Sequence, residues 1–142
     1  MIQLTASLLH QLEQHSRAAY PSEGCGVLIG AAVEGGKRVH RLLPVENASP
    51  LAEQYHRYVI SPPVMIAAER KARAAGLAVI GFYHSHPEGQ ARPSDFDREH
   101  AWPWYSYLVV GVQQGKVGET TAWLLSDNRE SFDREEVIIE RV

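Results

Sequence analysis

Residues 79–100 have the sequence VIGFYHSHPEGQARPSDFDREH, which joins an apolar segment to side chains that bind metal ions. The apolar segment is rich in β-branched and aromatic residues, and this composition favours a β-strand. His84 and His86 stand one residue apart at its end. On a strand, residues two apart point to the same face, roughly 7 Å apart along the chain. Both imidazoles can therefore reach one ion, while Ser85 points away.

A serine and an aspartate, Ser94 and Asp97, follow the histidine pair after a loop from Pro87 to Pro93. An aspartate from this segment would add one oxygen ligand to two nitrogen ligands. Three protein ligands and one open position are typical of catalytic zinc, and a water held there has a pKa lowered to about 7. The serine and aspartate also fit a capping box variant at a helix start. The two interpretations are compatible, because a cap would hold Asp97 in place.

Two further side chains of this segment are rival ligands. Asp95 lies next to the predicted cap, and His100 lies one helical turn after Asp97. The spacing alone excludes neither. The remaining histidines are scattered, and we interpret them as surface or packing residues: His10, His15, His40 and His56.

Two other groups of residues have plain structural interpretations. Cys25 lies inside an apolar strand pattern, which indicates a buried, inert thiol rather than a nucleophile. An aromatic cluster indicates core or rim packing, because no basic residues alternate with it as they would in a nucleic-acid site. Its members are Trp102, Trp104 and Tyr105.

Length and charge narrow the class of protein. The chain has 142 residues, which suits one domain over 1–142, and a formal net charge of −3. This charge predicts neither nucleic acid nor a membrane surface as a partner. The first residues lack the pattern of a secretion signal, and no apolar run is long enough to span a bilayer. A single cysteine rules out an intramolecular disulfide, so we expect a cytoplasmic protein.

The pattern outside residues 79–100 predicts helices and strands in mixed order. We expect a helix from a Thr5 cap to near Ala19, and another from a Ser61 cap to a stop at Gly76. A turn at 34–36 should join the strands CGVLIGAAV and KRVHRLLPV into a hairpin. The later strands are expected in YSYLVVGV and TTAWLLS, with a last strand or short helix in EEVIIERV. This order predicts an α/β fold with a mixed sheet flanked by helices.

The combined pattern resembles the JAMM, or MPN+, family of zinc metalloproteases. The family signature is His-x-His, seven residues, then Ser-x-x-Asp, and residues 84–97 match it without a gap. The family also has a glutamate just before its first strand, after a short turn that contains proline, and the segment YPSEGCGVLIG places Glu23 there. The segments EGCGVLIG and PWYSYLVV point to the short bacterial branch, which is similar to peptidases that process sulfur-carrier proteins. The resemblance implies the layered, cytidine-deaminase-like fold of MPN domains.

The resemblance also implies roles for five residues. His84, His86 and Asp97 would hold Zn²⁺, Glu23 would be the general base, and Ser94 would stabilise the oxyanion. The implied substrate is a peptide or isopeptide bond at the C-terminal tail of a small ubiquitin-like sulfur-carrier protein. We expect the loops 47–58 and 87–93 to form the walls of its groove.

Other functions compete with this one. The chain could be a non-catalytic MPN-type scaffold, although all five signature positions are filled. It could be a general zinc peptidase acting on short peptides. Two histidines and a carboxylate also form the ligand set of non-haem iron oxygenases, but their usual setting is an all-β barrel. A zinc deaminase is disfavoured, because the Pro-Cys-x-x-Cys half of its signature is missing.

Overall fold

A computed structural model of the chain describes residues 1–141. Within them the chain forms eight β-strands, three α-helices and one 3₁₀ turn. In chain order these are β1 Ile2–Thr5, α1 Ala6–Ala19, β2 Cys25–Val33, β3 Gly36–Val45, the 3₁₀ turn Leu51–Glu53, α2 Pro62–Ala74, β4 Ala78–Pro87, α3 Asp95–His100, β5 Ser106–Gln113, β6 Lys116–Leu125, β7 Phe132–Glu135 and β8 Val137–Glu140.

The eight strands form one mixed sheet in the order β7-β6-β5-β4-β2-β3-β1-β8. Strand β4 is parallel to β5, and β1 is parallel to both β3 and β8, whereas the other pairs are antiparallel. This arrangement confirms the predicted α/β fold with a mixed sheet and few helices. Strand β4, which carries the histidine pair, lies in the interior of the sheet.

The two long helices cover opposite faces of the sheet. Alternate residues of one strand point to opposite faces, and on β2 the side chain of Leu28 packs in one apolar cluster with Leu12 of α1. Its neighbour Val27 packs in a second cluster with Ala68 and Ala72 of α2. Each face of the central strands is therefore buried, which explains their nearly continuous apolar sequence.

The helix ends agree with the predicted caps, with one exception. Thr5 Oγ1 accepts the backbone N–H of Leu8 at 3.1 Å. Gly76 has φ +73° after α2, and the N–H of Leu77 reaches the carbonyl oxygen of Ala72 at 2.9 Å, which is a Schellman stop. Ser61 occupies the cap position of α2, but its side chain makes no capping hydrogen bond there.

Two strands were missed, and one open alternative was decided. Residues 2–5 and 132–135 form the short strands β1 and β7, which the sequence patterns did not predict, and β8 settles the last segment as a strand. Strands of four residues carry too little periodicity to be recognised locally. Pairing holds both strands instead: Ile2 pairs with the distant residues Lys37 and Val137, and Phe132 pairs with Leu125 of the preceding strand.

A buried polar cluster joins the two ends of the sheet. Glu136 alone separates the edge strands β7 and β8, so the sheet curls until its ends meet. There Lys37 Nζ donates to Ser106 Oγ at 3.0 Å, and Ser106 Oγ donates to Glu135 Oε1 at 2.7 Å. The Met1 ammonium lies 3.4 Å from Glu135 Oε2. We refer to Met1, Lys37, Ser106 and Glu135 as the closure cluster.

Candidate metal centre

The two histidines lie at the C-terminal end of β4 and point to the same side. Strand pairing sets their position: His84 is opposite Cys25 of β2 and opposite Val109 of β5. The Nε2 atoms of His84 and His86 are 3.0 Å apart. The predicted same-face arrangement is therefore confirmed, and it follows from the two-residue period of a strand.

Helix α3 brings Asp97 to the histidine pair. Ser94 Oγ accepts the backbone N–H of Asp97 at 3.1 Å, and Asp97 Oδ2 accepts the backbone N–H of Ser94 at 2.8 Å, so the two residues form a capping box. The same Oδ2 atom lies 3.0 Å from His84 Nε2 and 3.1 Å from His86 Nε2. One oxygen atom thus fixes the helix start and faces both imidazoles.

The arrangement of these donor atoms fits a metal ion. His84 Nε2, His86 Nε2 and Asp97 Oδ2 form a nearly equilateral triangle with sides of 3.0, 3.0 and 3.1 Å. Nitrogen and oxygen ligands at about 2.0–2.2 Å from a tetrahedral zinc ion are separated by roughly 3.3–3.6 Å, slightly more than the sides of this triangle. Two imidazoles and one carboxylate are also a donor set that zinc accepts. The triangle therefore has the size and chemistry of three zinc ligands.

Glu23 completes the cluster from a distant part of the chain. Its carboxylate, the two imidazoles and the Asp97 carboxylate have donor atoms all within 4.8 Å of one another. Glu23 precedes β2, and because Cys25 pairs antiparallel with His84, Glu23 comes to lie beside the end of β4. The side chain is buried, and Glu23 Oε1 has no hydrogen-bond partner within residues 1–141. A buried carboxylate oxygen without a partner needs a proton, a water or an ion.

Burial dominates the electrostatics of Glu23. It raises the pKa of the Glu23 carboxyl to about 8, with the charge of His86 acting to lower the pKa and that of Asp97 acting to raise it. A carboxyl group with a pKa near the working pH can both take up and release a proton. Perturbed pKa values of this kind are typical of functional sites.

The pKa shifts of His84 and Asp97 favour the forms that bind a metal, whereas the shift of His86 favours its protonated form as long as no metal is bound. Burial lowers the pKa of His84 and outweighs the nearby Asp97 carboxylate. Burial also acts to lower the pKa of His86, but the hydrogen bond and charge of Asp97 leave that pKa raised. For Asp97, burial acts to raise the pKa, yet the two histidines outweigh it and hold the pKa well below the usual range. Carboxylate and neutral imidazole are the forms that coordinate metals.

Neighbouring groups orient both rings. His86 Nδ1 lies 3.0 Å from the carbonyl oxygen of Gln90, which places the ring proton on Nδ1 and leaves Nε2 free for a ligand. The ring of His84 stacks on Tyr58, with centroids 4.5 Å apart and planes at 21°. His84 Nδ1 has no hydrogen-bond partner within the described residues, so stacking holds this ring instead.

Comparison with known protein families decides where the chain belongs. A family model described as prokaryotic homologs of the JAB domain matches residues 5–126. The chain belongs to this family. The JAMM resemblance predicted from residues 84–97 and from Glu23 is therefore confirmed.

Relatives of this JAB-domain protein include named proteolytic enzymes. It is 36% identical over 104 residues to a protein of Haloferax volcanii named desampylase, covering 72% of each chain. It is 30% identical over 105 residues to a probable TtuB-protein conjugate cleaving protease of Thermus thermophilus, covering 74% of this chain and 66% of the relative. With its family, these relatives and the clustered Glu, His, His and Asp side chains, the JAB-domain protein is a JAMM-type hydrolase.

Solved structures agree with the fold. A solution structure of a protein from Desulfitobacterium hafniense matches the JAB-domain protein with a TM-score of 0.87 and 29% identity, covering 100% of this chain and 94% of that one. A JAB1/MPN domain protein from Archaeoglobus fulgidus matches with a TM-score of 0.63 and 17% identity, covering 98% and 99%. The second match supports the fold alone.

The rival ligands lie outside the cluster of this JAB-domain protein. Asp95 is exposed in the first turn of α3, and His100 is exposed with its Nδ1 atom 2.8 Å from the Phe96 carbonyl oxygen. Cys25 is buried, and burial raises the pKa of its thiol to about 12, so it is the inert thiol that the sequence predicted. Trp102 and Trp104 are largely exposed, so they belong to the rim and not to the core.

Two supporting contacts of the JAB-domain protein were not predicted. Ser85 points away from the histidine pair, as expected, but its Oγ accepts the backbone N–H of Gly24 at 2.8 Å, next to Glu23. Asn47 Nδ2 donates to the carbonyl oxygens of Glu23 and Arg57 at 3.0 and 2.9 Å. Both contacts join segments far apart in sequence, so no local pattern could indicate them.

The two loops expected to form the groove walls, 47–58 and 87–93, line two different cavities. Tyr58 lines a cavity next to Asp97. The loop 87–93 instead lines a separate polar cavity through residues 89–92. Within residues 1–141, no helix has both the length and the apolar character needed to cross a membrane.

Proposed function

We propose that this chain is a zinc-dependent peptidase or isopeptidase that cleaves at the C-terminal tail of a small ubiquitin-like sulfur-carrier protein. The observation that carries the proposal is the convergence of four side chains from three segments of the chain. The ligand-like triangle of His84, His86 and Asp97 lies beside the buried carboxylate of Glu23, which has an unpartnered oxygen.

In this proposal His84 Nε2, His86 Nε2 and Asp97 Oδ2 hold the metal. Zinc, when bound, lowers the pKa of a coordinated water and polarises the scissile carbonyl group. The hydrogen bond from Ser94 to Asp97 Oδ2 keeps that oxygen directed at the histidines. The stacking of Tyr58 and the carbonyl oxygen of Gln90 keep the two rings in place.

Glu23 handles the protons. It accepts a proton from the attacking water and donates one to the leaving amine, since its raised pKa lets it do both near neutral pH. Burial excludes competing water, and the bonds that Asn47 and Ser85 make to residues 23 and 24 position the carboxylate. These contacts support the general-base role for a residue that is not a metal ligand.

Ser94 is the proposed oxyanion donor. Its Oγ accepts the N–H of Asp97 at 3.1 Å, which uses an oxygen lone pair and leaves the hydroxyl hydrogen free to donate. The residue is exposed and adjoins the metal triangle, so its hydroxyl can reach a bound substrate. Capping the helix and stabilising the oxyanion are therefore compatible roles for Ser94.

The substrate class rests on the relatives. One is named desampylase and another a TtuB-protein conjugate cleaving protease, and both names describe the removal of a small protein from a conjugate. We propose the same kind of bond for this chain, at the tail of a sulfur-carrier protein, and a cytoplasmic location that suits its free thiol.

The test uses zinc-loaded, desalted protein and candidate carrier proteins from the same genome. Each carrier bears an extra C-terminal peptide or is conjugated through a lysine, and intact mass is followed with time. Clean loss of the extension or partner, blocked by a chelator and by Glu23→Gln, supports the proposal. Intact carriers with efficient cleavage of unrelated short peptides indicate a general peptidase. Absence of any cleavage by metal-loaded protein indicates a scaffold.

A further inference from the structure

A cavity of about 560 Å³ opens directly beside the metal centre. Asp97 lines both the centre and the cavity, and Tyr58 lines the cavity while its ring stacks on His84. A side chain that occupies this cavity therefore belongs to a residue close to the bond being cleaved. The cavity lies between α2, α3 and the start of β5, and it is also lined by residues 58–60, by Phe82 of β4 and by the segment 102–105.

The walls of this cavity are mainly aromatic. Six aromatic side chains line it, and they are Tyr58, Phe82, Phe96, Trp102, Tyr105 and Tyr107. Val59, Ile60 and Met65 add aliphatic surface. Large apolar surfaces held open in this way are typical of ligand sites, because apolar surface left in contact with water is unfavourable until a ligand covers it.

The charges of the lining disfavour an acidic occupant. Two carboxylates line the cavity, those of Glu69 and Asp97, together with the imidazole of His100, and the lining contributed by residues 1–141 contains no lysine or arginine. An acidic side chain would be repelled by Glu69 and would lose its hydration without gaining a lysine or arginine partner in the lining. An apolar side chain would bury its surface against the aromatic rings at no such cost.

A second cavity offers a contrast. It has a volume of about 770 Å³ and lies on the side of the loop that follows His86. Its lining is polar and includes Gly89, Gly111 and Gly118 together with Arg92 and Lys116. Such a surface suits main-chain and charged groups of a substrate. Of the two cavities, only the aromatic one therefore offers a site for an apolar side chain.

We propose that the aromatic cavity is a specificity pocket for a large apolar side chain, of the leucine or phenylalanine type, borne by the substrate within a few residues of the cleaved bond. This proposal rests on the proposed function and names a feature of its substrate. Burying such a side chain contributes about 1.5–3 kcal/mol, which corresponds to roughly 10- to 100-fold tighter binding than glycine at the same position.

The first test measures binding and needs no turnover. The probes are four tripeptides, N-acetyl-Gly-X-Gly-amide, in which X is leucine, phenylalanine, glutamate or glycine. Titrations are followed by the backbone N–H signals of the lining residues Tyr58 and Ile60 in ¹H–¹⁵N spectra, which every variant below retains. The leucine and phenylalanine peptides should bind roughly 10- to 100-fold more tightly than the glycine peptide, and the glutamate peptide should bind most weakly. Equal binding of all four peptides would overturn the proposal.

Matched variants locate the binding on the molecule. Val59→Asp places a charge in the cavity, whereas Val33→Asp places one on a β-hairpin that does not line it; the two valines are 40% and 37% exposed. Trp102→Ala removes an aromatic wall, and Trp104→Ala removes its neighbour, which lies outside the lining. We expect Val59→Asp and Trp102→Ala to abolish the preference for leucine and phenylalanine. Equal effects in the two members of a pair would show that binding occurs elsewhere.

Cleavage assays separate this proposal from the proposed function. Carrier proteins are prepared with leucine, glutamate or glycine at each of the positions flanking the cleaved bond, and kcat/KM is compared. Cleavage without preference at any position would overturn the pocket and leave the function standing. Selective peptide binding without cleavage of any carrier would support the pocket and overturn the function.

Discussion

Ser85 holds Gly24 through two hydrogen bonds. Its Oγ accepts the backbone N–H of Gly24 at 2.8 Å, and its own backbone N–H donates to the carbonyl oxygen of Gly24 at 3.0 Å. Ser85 stands between the two histidines, and Gly24 follows Glu23 directly in the chain. The proposed metal ligands and the proposed general base are therefore held in register by one residue between His84 and His86.

We predict that Ser85→Ala slows turnover while the metal is retained. Loss of the hydroxyl leaves the buried N–H of Gly24 without a partner, which costs about 1–3 kcal/mol of stability. A shift of Glu23 by about 1 Å would lower kcat by up to roughly 100-fold. Ser16→Ala is the matched control, because Ser16 is equally buried but donates to Leu12 within α1. Equal kcat values for the two variants would contradict the positioning role.

Substitution of a single proposed ligand should release the metal, whereas substitution of a neighbouring residue should not. We expect His84→Ala and Asp97→Ala to lose zinc, because either change leaves two of the three proposed ligands. Asp95→Ala should keep it, since Asp95 is exposed and lies outside the cluster. Elemental analysis of zinc-loaded and desalted protein measures the bound metal. Retention by Asp97→Ala with loss from Asp95→Ala would move the ligand to the other aspartate.

Glu23→Gln should separate metal binding from catalysis. The amide has nearly the shape of the carboxyl group but cannot accept the proton, so we expect kcat to fall by about 10²- to 10⁴-fold. Zinc content and the unfolding midpoint should remain close to those of the unsubstituted protein. Undiminished turnover would reject the general-base role of Glu23.

The closure cluster should contribute far more to stability than an exposed ion pair. Glu135→Ala removes the partner of Ser106 and of the Met1 ammonium, and leaves the buried Lys37 without its acidic neighbour. Breaking a buried charge network costs about 3–5 kcal/mol. Glu119→Ala breaks an exposed pair with Arg134 and should cost only about 0–1 kcal/mol. Urea unfolding of both variants measures the two losses of stability. Similar unfolding midpoints for Glu135→Ala and Glu119→Ala would contradict the prediction.

His15 should make stability fall at acid pH. Its Nδ1 lies 2.7 Å from the hydroxyl oxygen of the buried Tyr83, and burial lowers the pKa of His15. The unfolded chain, with a histidine pKa of about 6.5, binds a proton before the folded chain does. The stabilising contribution is therefore complete above that pH and is lost as the pH falls through the lower pKa of the folded state. The slope contributed by one such group is at most about 1.4 kcal/mol per pH unit.

Urea unfolding between pH 7.5 and 5, with a chelator present to keep metal out of the comparison, checks this slope. His15→Gln removes the titrating group, so the free energy of unfolding of the variant should depend less on pH in this interval. The same pH dependence in both proteins would assign the acid sensitivity to other groups.

Several features of the fold could be predicted because they depend on neighbours within a few residues. The same-face geometry of His84 and His86 follows from the period of a strand, and the helix that begins after Ser94 follows from its cap. The stop of α2 at Gly76 follows from a glycine that adopts φ +73°. The strands β1 and β7 could not be predicted, because four residues are too few to show a period; β1 also depends on partners far along the chain, whereas β7 pairs with the preceding strand β6.

By itself, the sequence named the candidate residues for the chemistry: two histidines on one strand face, a capped aspartate after them and, through the family resemblance, a glutamate before the strand CGVLIGAAV. Only the tertiary structure decided that Glu23 lies within 4.8 Å of the other three groups. It also decided that Tyr58 stacks on His84 and opens the aromatic cavity. The physical reason is the antiparallel pairing of Cys25 with His84, which brings together two segments about sixty residues apart. Local periodicity determines which face of a strand a side chain occupies, but only pairing between strands determines which distant residues become its neighbours.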